Sequence, residues 1–90
     1  MKELHSIVHG RVQGVGFRRL ILHYAEKYLL RGITRNLSDG TVEICAQGSQ
    51  KSLELFLQDL KQHKGAPQIK SIETSYKEAV KKFEDFRIIY

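Results

Sequence analysis

Ninety residues with 41% hydrophobic and 28% charged side chains are expected to form one soluble globular domain, residues 1–90, burying roughly 60 to 65% of the unfolded chain's surface. No apolar run approaches the roughly 20 residues that cross a bilayer, and Met1-Lys2-Glu3-Leu4-His5 lacks an apolar leader, so a cytoplasmic protein without an anchor is expected. The lone Cys45 excludes an internal disulfide and a cysteine-built metal or iron–sulfur site, while the net charge of +5 favours anionic partners without choosing between small phosphates and nucleic acid.

In Glu3 to Val12, the residues Leu4, Ser6, Val8, Gly10 and Val12 alternate with His5, Ile7, His9 and Arg11. This period of two with β-branched residues suits a central strand. The pattern then breaks into Gly10-Arg11-Val12-Gln13-Gly14-Val15-Gly16-Phe17-Arg18-Arg19. Glycines let successive backbone N–H groups converge, and a helix opening there adds the positive end of its dipole, so the stretch reads as a cradle for an oxyanion.

From about Phe17 to Leu30, Ile21, Tyr24, Ala25, Tyr28 and Leu29 recur at helical spacing, with Leu20 and Leu22 widening the apolar stripe. Arg18 and Arg19 in the first turn oppose the helix dipole. A bound anion resolves that conflict. Gly32 to Leu37 predicts a short strand, Asp39-Gly40 a hairpin turn, and Thr41 to Gln47 a second strand with Val42, Ile44 and Ala46 on one face and Thr41, Glu43, Cys45 and Gln47 on the other. Ser49 is a candidate N-cap for a helix carrying Leu53, Phe56, Leu57 and Leu60 and ending near His63.

After Lys64-Gly65-Ala66-Pro67 the pattern predicts a strand over Ile69 to Tyr76, a polar connection over Lys77 to Lys82, and a terminal strand over Phe86 to Tyr90. Strand, helix, strand, strand, helix, strand, strand with right-handed crossovers places both helices on one face of a largely antiparallel sheet. The expected fold is therefore α+β, a ferredoxin-like α/β sandwich with an added C-terminal strand.

The cradle lacks the Lys-Ser/Thr ending of a Walker A loop, and Arg19 stands where a dinucleotide fingerprint needs its third glycine. Arg18 strengthens it, because a guanidinium clasps two phosphate oxygens while backbone amides take the others. Asn36, just ahead of the Asp39-Gly40 turn, reads on its own as a turn-proximal amide; the topology can place it beside the cradle, where an amide both accepts from and donates to a bound water. His5, His9, His23 and His63 form no recognisable metal-ligand pattern, Cys45 reads as a small buried or half-buried residue rather than a nucleophile, and Asp39 and Glu43 read as turn and surface residues.

Gly10 to Arg18 together with Gly32-Ile33-Thr34-Arg35-Asn36-Leu37-Ser38-Asp39-Gly40-Thr41-Val42-Glu43 resembles the paired signature segments of the acylphosphatases, and the resemblance spans essentially the whole chain. It implies a ferredoxin-like fold and hydrolysis of an acyl phosphate to a carboxylate and inorganic phosphate. On matching positions it implies that Arg18 and Asn36 are catalytic, Arg18 binding phosphate and Asn36 orienting the attacking water, and that Gln13, Gly14, Val15, Gly16 and Phe17 form the phosphate cradle. No metal, cofactor or covalent intermediate is expected, since an acyl phosphate already carries a good leaving group.

The expected partner is a small acyl phosphate, with inorganic phosphate or sulfate able to occupy the loop, and the protein is expected to be a monomer. Nucleic acid is not an expected partner, because the strands before Phe83 offer only Tyr76 as a stacking aromatic. Two positions depart from the family pattern: Leu29 where a glycine commonly follows the first helix, and Ile33 where an aromatic is frequent. Both bear on helix capping and local packing.

Overall fold

The structure, a computed structural model, describes all 90 residues. Seven elements follow in the order β1 (Lys2–Arg11), α1 (Phe17–Lys27), β2 (Arg31–Asn36), β3 (Val42–Gly48), α2 (Gln50–Gln62), β4 (Gln68–Glu78) and β5 (Phe86–Ile88). The five strands form one sheet in the order β4-β1-β3-β2-β5. Every pairing is antiparallel except β2 with β5. Since β3 lies between β1 and β2, and β1 between β3 and β4, each helix crosses between parallel strands separated by one intervening strand. This is the ferredoxin-like arrangement with an extra strand.

The alternation seen in the sequence sorts the sheet into two faces. Leu4 and Val8 of β1 and Val42, Ile44 and Ala46 of β3 are fully buried, and they meet Phe17, Ile21 and Ala25 of α1 and Leu53, Phe56, Leu57 and Leu60 of α2. The outer face carries charge, with His5 bonded to Glu43 at 2.7 Å and Arg35 to the same carboxylate at 2.6 Å. Ser49 caps α2 as expected, its hydroxyl accepting from the Ser52 N–H at 3.1 Å.

Boundaries and faces differ from the sequence expectation at several points, and Thr41, expected on the outer face of the second hairpin strand, is buried just ahead of β3. Helix α1 stops at Lys27 rather than Leu30, because the Leu29 N–H bonds the Glu26 carbonyl and the Leu30 N–H bonds the Ala25 carbonyl, with Leu29 in the left-handed region at φ 55°. Strand β4 continues through Lys77 to Glu78, since β1 offers ladder partners as far as Lys2 opposite Glu78. The β5 ladder ends at Ile88, although Ile89 still donates to the Thr34 carbonyl at 2.9 Å.

Gln47, too, was placed on the outer face by alternation and is fully buried. The connection over residues 79–85 covers it: its amide donates to Glu3 at 2.8 Å and to the Lys81 carbonyl, while its oxygen accepts from the Phe83 N–H at 3.0 Å. A buried amide with every bond supplied holds that connection down, so polarity here marks a strap rather than a solvated face.

Candidate active site

The cradle is pinned at both ends by apolar side chains. Val12 and Phe17 are each 1% exposed, so the turn between them is fixed to the core while its own backbone stays at the surface. Gly14 and Gly16 take φ 74° and 76°, left-handed values that a side chain resists. Gly16 is also the N-cap of α1, and no side chain caps that helix or places an acid in its first turn. The helix end therefore keeps amide donors and partial positive charge for an external acceptor.

Two elements close over this turn. Strand β2 ends at Asn36, whose side-chain Oδ1 is buried and has no hydrogen-bond partner. Strand β5, parallel to β2, brings Ile88 and then Tyr90 to the start of α1. Together they bound a cavity of about 130 Å³ whose wall includes Gly14, Gly16, Phe17, Arg18 and Asn36. That is about four times the volume of a liquid water and well below the roughly 300 Å³ at which ordinary small-molecule pockets begin.

The structure thus brings five of the seven residues singled out in the sequence to one cavity. Gln13 and Val15 belong to the same turn but not to the wall. The amide nitrogen of Gln13 donates to the Leu37 carbonyl at 2.8 Å and the Thr41 carbonyl at 2.9 Å, and Val15 packs against the core. The wall also contains Val12 and Arg19, which belong to the cradle stretch but were given no individual role, and Ile88 and Tyr90, which sequence reasoning did not assign to a site. Arg19 adjoins Arg18 in the same turn of helix, whereas Ile88 on β5 and Tyr90 just past its end reach the wall through the pairing of β5 with β2, which no local pattern announces.

Arg18 is electrostatically free. No carboxylate lies within salt-bridge distance of it, and its guanidinium carbon sits 4.7 Å from the centre of the Tyr90 ring. The nearby acids are engaged elsewhere. Asp39 accepts from the Thr41 hydroxyl at 2.6 Å and its N–H at 3.0 Å, which holds its carboxyl below the usual carboxylate range. Glu43 is likewise held down, by hydrogen bonds from His5 and Arg35. Half-buried Cys45 has its thiol pushed up to about 11, chiefly by burial, so it is no thiolate nucleophile at neutral pH.

His9 bonds Glu73 at 3.1 Å and Tyr24 bonds His63 at 3.3 Å, and neither pair touches the cavity. Larger hollows exist, such as one of about 340 Å³ between Glu54, Leu57, Lys61 and Tyr76. It has neither a glycine turn nor an uncapped helix, so size and chemistry point to different places. The chemistry decides.

A ferredoxin-like sandwich with a small cavity between its first loop and the end of β2 defines a class of small α/β domain. Within that class, a sequence model described as Acylphosphatase matches residues 4–88. An acylphosphatase of Bacillus licheniformis is 42% identical over 92 residues, covering all of both chains, and one of Geobacillus thermodenitrificans is 39% identical over 90 residues, covering 100% of this chain and 96% of that one. The crystal structure of the Bacillus subtilis acylphosphatase superposes with a TM-score of 0.95 at 34% identity, covering 100% of each chain. The chain belongs to the acylphosphatase family of hydrolases. No helix is long and apolar enough to cross a membrane.

Proposed function

We propose that this protein hydrolyses the carboxyl-phosphate bond of acyl phosphates, using Arg18 and the amides of the glycine turn to hold the phosphoryl group and Asn36 to aim a water at phosphorus. The observation that carries the reading is that one cavity of about 130 Å³ is lined by both Arg18, whose guanidinium has no acidic partner, and Asn36, whose buried side-chain oxygen has no hydrogen-bond partner. A buried acceptor without a donor costs about 1–3 kcal/mol, so a donor from the ligand side fits Asn36 Oδ1. Water is such a donor.

Each residue then has a defined task. The Arg18 guanidinium takes two phosphoryl oxygens in its planar fork, and the helix end takes charge that spreads over the others. Accepting one water hydrogen, Asn36 turns the water's lone pair toward phosphorus. The new P–O bond forms as the bond to the acyl oxygen breaks, and the carboxylate leaves with the electron pair. The water's proton passes to the phosphate oxygens. Because the leaving group is a stable carboxylate, positioning and charge neutralisation suffice without a strong base, a metal or a covalent intermediate.

The test is hydrolysis of benzoyl phosphate in EDTA by the wild type beside Arg18→Ala and Asn36→Ala. Turnover by the wild type, competitive inhibition by phosphate and loss in both variants is the expected outcome. Full turnover in Arg18→Ala overturns the mechanism.

A further inference from the structure

A phosphate-binding arginine faces a design problem. Left free, its long side chain must be ordered when the ligand arrives; paired with a carboxylate, it must give up that partner first. Arg18, half-buried, has no side-chain acid within salt-bridge distance, and its guanidinium carbon lies 4.7 Å from the centre of the Tyr90 ring. An aromatic face engages the π-surface of the guanidinium and leaves its in-plane N–H donors unspent. Those donors are the ones that clasp a phosphoryl group.

The backbone that delivers Tyr90 is held to the sheet immediately before it. Ile88 sits opposite Thr34 in the parallel ladder, and the Ile89 N–H donates to the Thr34 carbonyl at 2.9 Å. Strand β2, which carries Asn36 at its end, therefore also anchors the backbone one residue before Tyr90. We propose that Tyr90 is a positioning residue for the phosphate site: its ring holds the Arg18 guanidinium over the glycine turn, ready for the anion, without competing for its hydrogen bonds. This rests on the proposed role of Arg18 in binding phosphate.

The phenol is 99% exposed and its hydroxyl makes no hydrogen bond within the protein, so the ring and not the hydroxyl carries the effect, and its removal opens no cavity. Loss of the stack removes preorganisation equally from the ground and transition states. The penalty therefore belongs in KM, and in the Kd for phosphate, rather than in kcat. An exposed cation–π contact corresponds to about a two- to fivefold change, from roughly 0.5–1 kcal/mol at 1.4 kcal/mol per factor of ten.

The experiment compares wild type, Tyr90→Phe, Tyr90→Trp and Tyr90→Leu by calorimetric titration with inorganic phosphate, by kcat and KM for benzoyl phosphate, and by thermal unfolding. The expected order of phosphate affinity is Trp at least equal to Tyr and Phe, with Leu weaker by about two- to fivefold and with an unchanged unfolding midpoint. A flat series overturns the proposal, as does a Phe variant that falls with Leu, or a wild type that binds no phosphate. If the wild type binds phosphate but hydrolyses no benzoyl phosphate, the proposed activity fails while the affinity order still decides the role of Tyr90.

Discussion

The side-chain amide of Gln13 donates to the carbonyl of Leu37 at 2.8 Å, and the same nitrogen reaches the Thr41 carbonyl at 2.9 Å. One side chain thus fastens the glycine turn to the β2–β3 turn that follows Asn36. The two halves of the proposed site come from segments about twenty residues apart, and this brace sets the distance between them.

Gln13→Ala removes the brace without emptying the core. Both carbonyls keep a second donor, Leu37 from the Gly40 N–H and Thr41 from the Leu37 N–H, so the stability loss should stay near 1 kcal/mol. Activity is more sensitive, because loosening the site by a fraction of an ångström lowers kcat by about ten- to a hundredfold. Urea unfolding and benzoyl phosphate kinetics on the same preparation check both numbers. A kcat loss no greater than twofold would show that the brace is dispensable.

Arg18 should trade stability for activity. It opens a helix with no acid in the first turn and no side-chain cap, where a cation opposes the dipole by about 0.3–1 kcal/mol. Arg18→Ala is therefore expected to unfold at slightly higher urea than wild type when no phosphate is present, while losing about a hundred- to a thousandfold in turnover. Added phosphate should raise the midpoint of the wild type and leave that of the variant unchanged.

Leu29 is the residue that departs from a glycine. It takes φ 55° with its side chain 87% exposed, so the left-handed backbone costs strain that no burial offsets. Leu29→Gly should stabilise the fold by about 1 kcal/mol, since a left-handed L-residue costs about 1–2 kcal/mol and glycine gives back part through its unfolded-state entropy. Activity should not change, because the site lies at the other end of α1. Equal unfolding midpoints for the two proteins would show that Leu29 is not strained.

Glu43 links the outer face to pH. Hydrogen bonds from His5 and Arg35 hold its carboxyl below the ordinary value of 4.5. The unfolded chain then binds the proton more readily than the native one, so stability rises with pH through this range. The contribution is fully present above about pH 4.5 and is lost as pH falls through the lower, native value. Denaturation midpoints between pH 6 and pH 3 should fall less steeply in Glu43→Gln than in wild type.

How far the chain could be read in advance depended on whether a signal was local. Alternation in β1 and β3 and the helical stripes predicted the sheet, the helices and the core, because each such pattern answers to one buried face. Gly14, Gly16, Arg18 and Asn36 were legible from turn chemistry and from the resemblance of their segments. Gln47 was not, since its burial depends on a connection more than thirty residues away. Tyr90 was missed for the same kind of reason: the parallel pairing of β5 with β2 places it against Arg18, and nothing near Tyr90 in sequence announces that contact. The early end of α1 follows from a left-handed Leu29, a conformation that side-chain type argues against.

Asn36 offers the sharpest separation of holding from hydrolysis. Its Oδ1 makes no bond within the protein, so Asn36→Ala removes an acceptor on which no protein group depends. Folding stability should change by no more than about 1 kcal/mol, and phosphate inhibition should remain near the wild-type level because Arg18 and the turn are intact. Only kcat should fall, by about a hundred- to a thousandfold, as the water loses its guide. Asn36→Asp should behave differently: a carboxylate in the same place repels the phosphoryl group, so KM and the phosphate inhibition constant rise as well as kcat falling. Binding lost equally in the alanine and aspartate variants would mean that Asn36 helps to hold the anion, and the division of labour between the two residues would have to be redrawn.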